Sequence, residues 1–186
     1  MPDATRRLFV AIDAPPAVSE SLAALATPIP GFKWTRPETL HLTLRFIGET
    51  HSGDVDALAV GLRAIRDVAP FVLTIGGVGV FPLRGAAQVV WVGLELAHPR
   101  LHQLRQRVDD TILAAGLAPD MRSFHPHFTL ARCAGATPGA VRDFVHTHAG
   151  FQGPTFVVDR CHLFESRLLP GGAEHAILET FSLAAG

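Results

Sequence analysis

Cysteine is scarce. Of 186 residues only Cys133 and Cys161 carry thiols, too few for a disulfide framework, so nothing indicates an oxidising compartment. Net charge is equally short. Sixteen Lys+Arg against seventeen Asp+Glu leave −1, which argues against a sequence-independent duplex binder, whose affinity would come from a basic face. Any nucleic-acid partner must be held by a local site. Long apolar runs are missing too. Arg6-Arg7 precede only the short run Leu8 to Ile12 before Asp13, too little for a signal-peptide core. The longest uncharged stretch, Val68 to Leu83, contains Pro70, Pro82 and three glycines, so it is no membrane span. Breakers such as Pro28-Ile29-Pro30-Gly31, Thr137-Pro138-Gly139 and Gly153-Pro154 are turns, none long or polar enough to be a linker. What remains is 48% hydrophobic and 18% charged, with mean hydropathy +0.27. Such a chain can bury roughly 70% of its unfolded surface without a staple. A single cytoplasmic domain spanning 1–186 is expected, monomeric, with no membrane contact and no required protein partner.

The apolar patterning predicts strands over Arg7–Ile12, Leu40–Ile47, Phe71–Phe81, Ala87–Leu96, His127–Arg132, Phe156–Leu168 and Glu174–Leu183. The last two are split by a turn at Pro170-Gly171-Gly172. Helices are predicted from an Asp13 cap through Ala26, from an Asp54 cap to Asp67, over Pro99–Ala115 and over Pro138–His148. Each half reads helix, strand, helix, strand, strand. Hairpin-length turns favour antiparallel pairing. The expected class is α+β and bilobal: two pseudo-symmetric lobes of antiparallel sheet with helices packed outside and the site in a central cleft.

One pattern opens the central strand of both halves. His41-Leu42-Thr43-Leu44 and His127-Phe128-Thr129-Leu130 lie 86 residues apart. Positions i and i+2 of a strand share a face, so each motif sets an imidazole beside a hydroxyl while Leu42, Leu44 and Phe46, or Phe128 and Leu130, point into the core. This suits attack on a phosphodiester. One neutral imidazole accepts a proton from water while a second, protonated one delivers a proton to the leaving oxygen. The threonines donate to non-bridging phosphate oxygens. No metal or other cofactor is required. Chance alone would supply about 0.3–0.4 such motifs, and a single copy would ordinarily be a solvent-facing strand pair.

Arg7-Leu8-Phe9-Val10-Ala11-Ile12, Leu40 through Glu49 and Pro126-His127-Phe128-Thr129-Leu130-Ala131-Arg132 resemble segments of the bacterial and archaeal RNA 2',3'-cyclic phosphodiesterases, also called 2'-5' RNA ligases, of the two-histidine phosphoesterase superfamily. Gly79-Val80-Phe81-Pro82, Val90-Trp91-Val92-Gly93 and Leu163-Phe164-Glu165-Ser166 extend the likeness over nearly the whole chain. It departs at His175, where many relatives have tyrosine. The resemblance implies hydrolysis of an RNA terminal 2',3'-cyclic phosphate, or of a 2',3'-cyclic nucleotide, to a 2'-phosphomonoester, with weak 2'-5' joining in reverse. It implies His41 as proton donor and His127 as acceptor; spacing alone does not order them.

Arg45 follows Thr43 on the same nominal face, and Arg132 stands three beyond Thr129, off parity unless a bulge re-aims it. Both are candidate phosphate ligands. Phe9 is a candidate base-stacking residue, although an aromatic in an apolar strand is more often core. His125, His127 and His41 could instead form a three-histidine metal site of a hydrolase, which would leave the threonines unexplained. A non-catalytic RNA-end or nucleotide binder is the other alternative, and it would need no acid–base pair.

Overall fold

In the computed structural model, residues 5–96, 98–169 and 172–184 are described. The chain runs β1 (Thr5–Asp13), α1 (Pro16–Ala23), β2 (Lys33–Trp34), β3 (His41–His51), α2 (Ser52–Arg63), β4 (Phe71–Phe81), β5 (Val89–Leu94), α3 (Pro99–Ala114), β6 (Phe128–Arg132), α4 (Pro138–Thr147), β7 (Gln152–Val158), β8 (Arg160–Leu169) and β9 (Gly172–Ser182). A short 3₁₀ turn at Pro37–Thr39 leads into β3. Eight strands form one path, β7-β4-β5-β6-β3-β1-β8-β9, and β2 pairs β6 at its side. Every pairing is antiparallel.

The path divides at its middle. β3 and β6 meet through one register pair, Leu42↔Phe128. Beyond it the edge of β6 is taken by β2, so the two four-stranded halves splay apart and a cleft opens between them. The hydrophobic core nevertheless runs through both halves, from Val10, Leu42 and Leu44 to Val90, Phe128 and Leu130. Helices cross over to join them. α1 follows β1 yet lies against β7, and α3 connects β5 to β6 yet lies against β3. α3 buries Leu101, Leu104, Val108 and Ile112, an i, i+3, i+4 stripe, and leaves the adjacent Leu113 exposed.

Several boundaries differ from the sequence reading. Asp13 ends β1 instead of capping α1, because its carboxylate is 2.9 Å from His162 Nε2. α2 begins at Ser52, with Asp54 in its first turn, where a carboxylate still faces the positive end of the helix dipole. The predicted strand Phe156–Leu168 is two strands that part at Asp159 and pair with different neighbours, β7 with β4 and β8 with β1 and β9. Pro170-Gly171 of the expected turn lies outside the described residues.

Candidate active site

The alternation of β3 and β6 breaks at the same place in both motifs. Across from β1, Ala11 pairs with Thr43 and Val10 with Arg45, which leaves Leu44 as an extra residue. Across from β5, Trp91 pairs with Thr129 and Val90 with Ala131, which leaves Leu130 as an extra residue. Such a bulge re-aims every side chain after it. His41 and Thr43 face the cleft, Leu44 and Arg45 are buried, and Phe46 faces the cleft again; His127, Thr129, Leu130, Ala131 and Arg132 repeat this order.

Two expectations are thereby corrected. Arg45 is 3% exposed and absent from the cleft wall. Its guanidinium lies 3.2 Å from both Asp109 and Asp120 and donates to the Ala118 carbonyl at 2.6 Å. Arg105 joins this cluster, pairing with Asp109 and donating to the carbonyl of the bulged Leu44. Phe46, assigned to the core, is 46% exposed and lines the cleft. The same bulge in β6 puts Arg132 into the cleft wall.

The cleft has a volume of about 1040 Å³ and contains His41, Thr43, His127, Thr129, Arg132 and Phe9 together. Both imidazoles are tethered alike. His41 Nδ1 is 2.8 Å from the Thr39 carbonyl and His127 Nδ1 is 2.6 Å from the His125 carbonyl. A carbonyl only accepts, so each Nδ1 carries a proton and each neutral ring keeps its lone pair on Nε2. Neither threonine hydroxyl has a hydrogen-bond partner among the described residues, and Arg132 has no ion pair there.

The surroundings of the two rings differ. His41 lies 5.0 Å from Phe9, 6.0 Å from Phe164 and 5.3 Å from His175 between ring centres. Burial in this enclosure pushes its pKa down to about 4, despite the bond to Thr39, with His175 and His127 adding like-charge repulsion. Phe9 is 2% exposed and stacks on Phe164 at 4.9 Å, so this candidate for base stacking is a floor beneath His41, the core role an aromatic of an apolar strand more often takes. His127 is flanked by Phe81 at 5.0 Å and Trp91 at 6.1 Å, and burial lowers its pKa too. The Trp91 ring covers Gly79, where a Cβ would come within 2.2 Å of it; only glycine fits there.

Other side chains in the cleft wall were not singled out as ligands. Arg122 stands with its guanidinium 5.6 Å from the Phe46 ring centre and pairs with Asp120. His175, Arg7, Lys33 and Arg36 also line the wall. For Phe46 a signal existed: it lies 86 residues before Arg132, the spacing of the two motifs. Arg122 precedes β6 in a loop and carries no such mark. Among the described residues no group of three or more His, Cys, Asp or Glu is arranged to hold a metal ion, so the three-histidine grouping does not form. Burial pushes the Cys161 thiol up to about 12 and raises Cys133, which keeps both protonated and unreactive. No helix of the described residues is long and apolar enough to cross a membrane.

A splayed antiparallel sheet with two bulged strands thus brings two imidazole Nε2 atoms and two threonine hydroxyls to one cleft. Comparison with known proteins names the family. The model of the 2'-5' RNA ligase superfamily matches residues 14–168, and the chain belongs to that superfamily. It is 34% identical over 185 residues to an RNA 2',3'-cyclic phosphodiesterase of Thermus thermophilus, an alignment covering 95% of this chain and 90% of that one. An Aeropyrum pernix protein of the same name is 35% identical over 63% of this chain and 64% of its own length. One of Geobacillus stearothermophilus is 30% identical over 83% and 52%, so the chain spans about half to two thirds of these two relatives. Among solved structures, E. coli LigT complexed with 3'-AMP superposes with a TM-score of 0.80 at 27% identity, covering 97% of this chain and 99% of that one. A Thermus thermophilus crystal structure gives 0.81 at 29% identity, covering 97% and 98%.

Proposed function

We propose that the cleft hydrolyses the 2',3'-cyclic phosphate at RNA ends, or of free 2',3'-cyclic nucleotides, to a 2'-phosphomonoester without a metal ion. One observation carries this reading: two Nε2 atoms, each set beside an unpaired threonine hydroxyl, share one cleft. Water attacks phosphorus, and His127 Nε2 takes its proton. The bond from phosphorus to the 3' oxygen breaks, and protonated His41 delivers its Nε2 proton to that oxygen. Thr43 and Thr129 donate to the non-bridging oxygens as their charge grows, and Arg132 adds a fixed positive charge. Solvent then removes the proton from His127 and returns one to His41. With a 5'-hydroxyl in place of water the same steps give a 2'-5' phosphodiester. The names of the relatives support this assignment, as does the nucleotide bound to LigT.

His41 starts neutral in the empty cleft, and the enclosed ring gains most from an anionic partner. A bound phosphate offsets the loss of hydration that depresses it, so the acid is loaded together with substrate. Both motifs come from one chain whose core runs through both lobes, which supports 1–186 acting as a single unit and a monomer. The two unpaired, inert thiols support a reducing cytoplasmic setting. The test is an oligoribonucleotide ending in a 2',3'-cyclic phosphate, incubated with EDTA-treated protein. A 2'-phosphate product is expected. A 3'-phosphate product, or no turnover until metal is restored, overturns the assignment, and tight binding without turnover marks a non-catalytic binder.

A further inference from the structure

His175 is a third imidazole in the cleft, and its hydrogen bonding is the reverse of the other two. Its Nδ1 is buried without a partner, whereas Nε2 is not among the buried unsatisfied atoms and makes no hydrogen bond among the described residues. A buried N–H without an acceptor is rarer and costlier than a bare acceptor lone pair. The neutral tautomer with its proton on Nε2 therefore prevails, and the ring presents an N–H donor where His41 and His127 present lone pairs. Burial and the charge of Arg7 also keep the ring from taking a second proton.

The neighbours of His175 can donate as well. Leu8 pairs with Glu165 and Ser166 with His175, so Arg7, Ser166 and His175 stand in one row across β1, β8 and β9, and all three line the cleft. Glu174 lies in the same wall, but its register partner is Arg167. The row lies beside the proposed acid, with His175 edge-on to His41 at 5.3 Å and 87°. A guanidinium, a hydroxyl and an imidazole N–H can all donate at once, which suits the oxygens of a phosphate; Glu49, the register partner of Arg7 on β3, makes no ion pair with it.

We propose that Arg7, Ser166 and His175 form a second anion subsite, which takes the phosphodiester on the 5' side of the terminal nucleoside while the paired histidines hold the cyclic phosphate. The subsite rests on the proposed reaction and would make the cleft prefer RNA ends over free cyclic nucleotides.

Adenosine 2'-monophosphate and adenosine 2',5'-bisphosphate differ only by the phosphate in question, and their binding is read by calorimetry without turnover. The bisphosphate should bind about tenfold tighter, the size of one well-placed charge-assisted contact. His175→Phe keeps the ring and removes the donor, and should bring that preference to within about twofold, as the same loss of contact requires. His175→Gln, which returns an N–H, should recover part of it. Arg7→Gln, on an exposed side chain, reads the same loss if the histidine variants fold poorly. An unmodified protein without the preference, or a preference that survives both His175→Phe and Arg7→Gln, overturns the subsite. So does an equal loss for both ligands, which would mean that His175 only seats His41. Hydrolysis of adenosine 2',3'-cyclic phosphate by the unmodified protein tests the underlying reaction separately.

Discussion

The two motifs share a backbone and differ in what surrounds it. Both strands bulge at the leucine after the threonine, and both histidines give Nδ1–H to the carbonyl two residues before. Opposite Thr43 stands the small Ala11, and Phe9, Phe164 and His175 fill the resulting space around His41. Opposite Thr129 stands Trp91, which with Phe81 flanks His127. After the bulge one strand buries Arg45 and exposes Phe46, while the other buries Ala131 and exposes Arg132. A repeated backbone thus supplies matched Nε2 atoms, and in the proposed mechanism their unmatched neighbours give them different work. There the more enclosed ring is the one whose proton would depend most on an anion being present.

The sharpest way to break that comparison is to remove the imidazoles separately. His41→Ala and His127→Ala should each lower kcat by roughly 10²–10⁴-fold on an adenosine 2',3'-cyclic phosphate substrate. Their responses to the leaving group should then diverge. A phosphodiester with a nitrophenolate leaving group needs no acid, so His41→Ala should recover most of its deficit there and His127→Ala should not. Equal recovery would mean that the roles are not divided as proposed.

The threonines test how far the symmetry extends into the transition state. Thr43→Val and Thr129→Val keep the β-branched shape and remove the donor. Each should raise the barrier by about 2–4 kcal/mol, mainly in kcat, with Thr→Ser recovering much of it. Unfolding of the valine variants, or an intact kcat, would make both hydroxyls structural.

The difference in enclosure has a pH signature. His41 has a folded-state pKa of about 4, against about 6.5 in an unfolded chain. The unfolded state therefore binds more protons between these values, so stability is full above about pH 6.5 and falls as pH drops toward 4. The loss is at most about 3 kcal/mol. His41→Phe should flatten this part of the denaturation profile. Binding adenosine 2'-monophosphate at pH 7 should conversely take up a proton, seen as a dependence of the calorimetric heat on the buffer's ionisation enthalpy. No uptake would mean that the acid is not loaded by the anion.

The shared cleft position of His41, Thr43, His127 and Thr129 is legible in the sequence because they precede the bulges, where strict alternation holds, and because the pattern occurs twice. Everything after Leu44 and Leu130 depends on a backbone irregularity that leaves no mark in composition. Parity alone puts Arg45 on the phosphate side and Phe46 in the core, whereas each takes the other's side of the sheet. Asp159 was invisible as a break, since Val157-Val158 and Cys161 continue the apolar run across it without glycine or proline. The carboxylates that receive Arg45 come from Asp109 and Asp120, far along the chain, and no local pattern points to them. The cleft itself follows from the single pair Leu42↔Phe128, a tertiary fact with no signature of its own.

The smallest expected effect lies at the position where the motifs differ most openly. Phe46 and Arg132 are equivalent by register, yet one is a ring and the other a charge. Arg132 lines the cleft with no ion pair among the described residues, so if it holds the anion as proposed, Arg132→Gln should raise KM about tenfold with a smaller change in kcat, as loss of a charge-assisted contact requires. Phe46 is engaged differently: Arg122 stands over its ring, and Asp120 holds Arg122 from the other side. Its removal forfeits a half-exposed cation–π contact worth about 0.5–1 kcal/mol. Phe46→Leu keeps apolar bulk and should change KM by no more than about threefold. A tenfold or larger rise in KM for Phe46→Leu, specific to one terminal base, would instead make Phe46 a stacking platform for the nucleoside. The two equivalent positions would then divide the substrate between them, base on one strand and phosphate on the other.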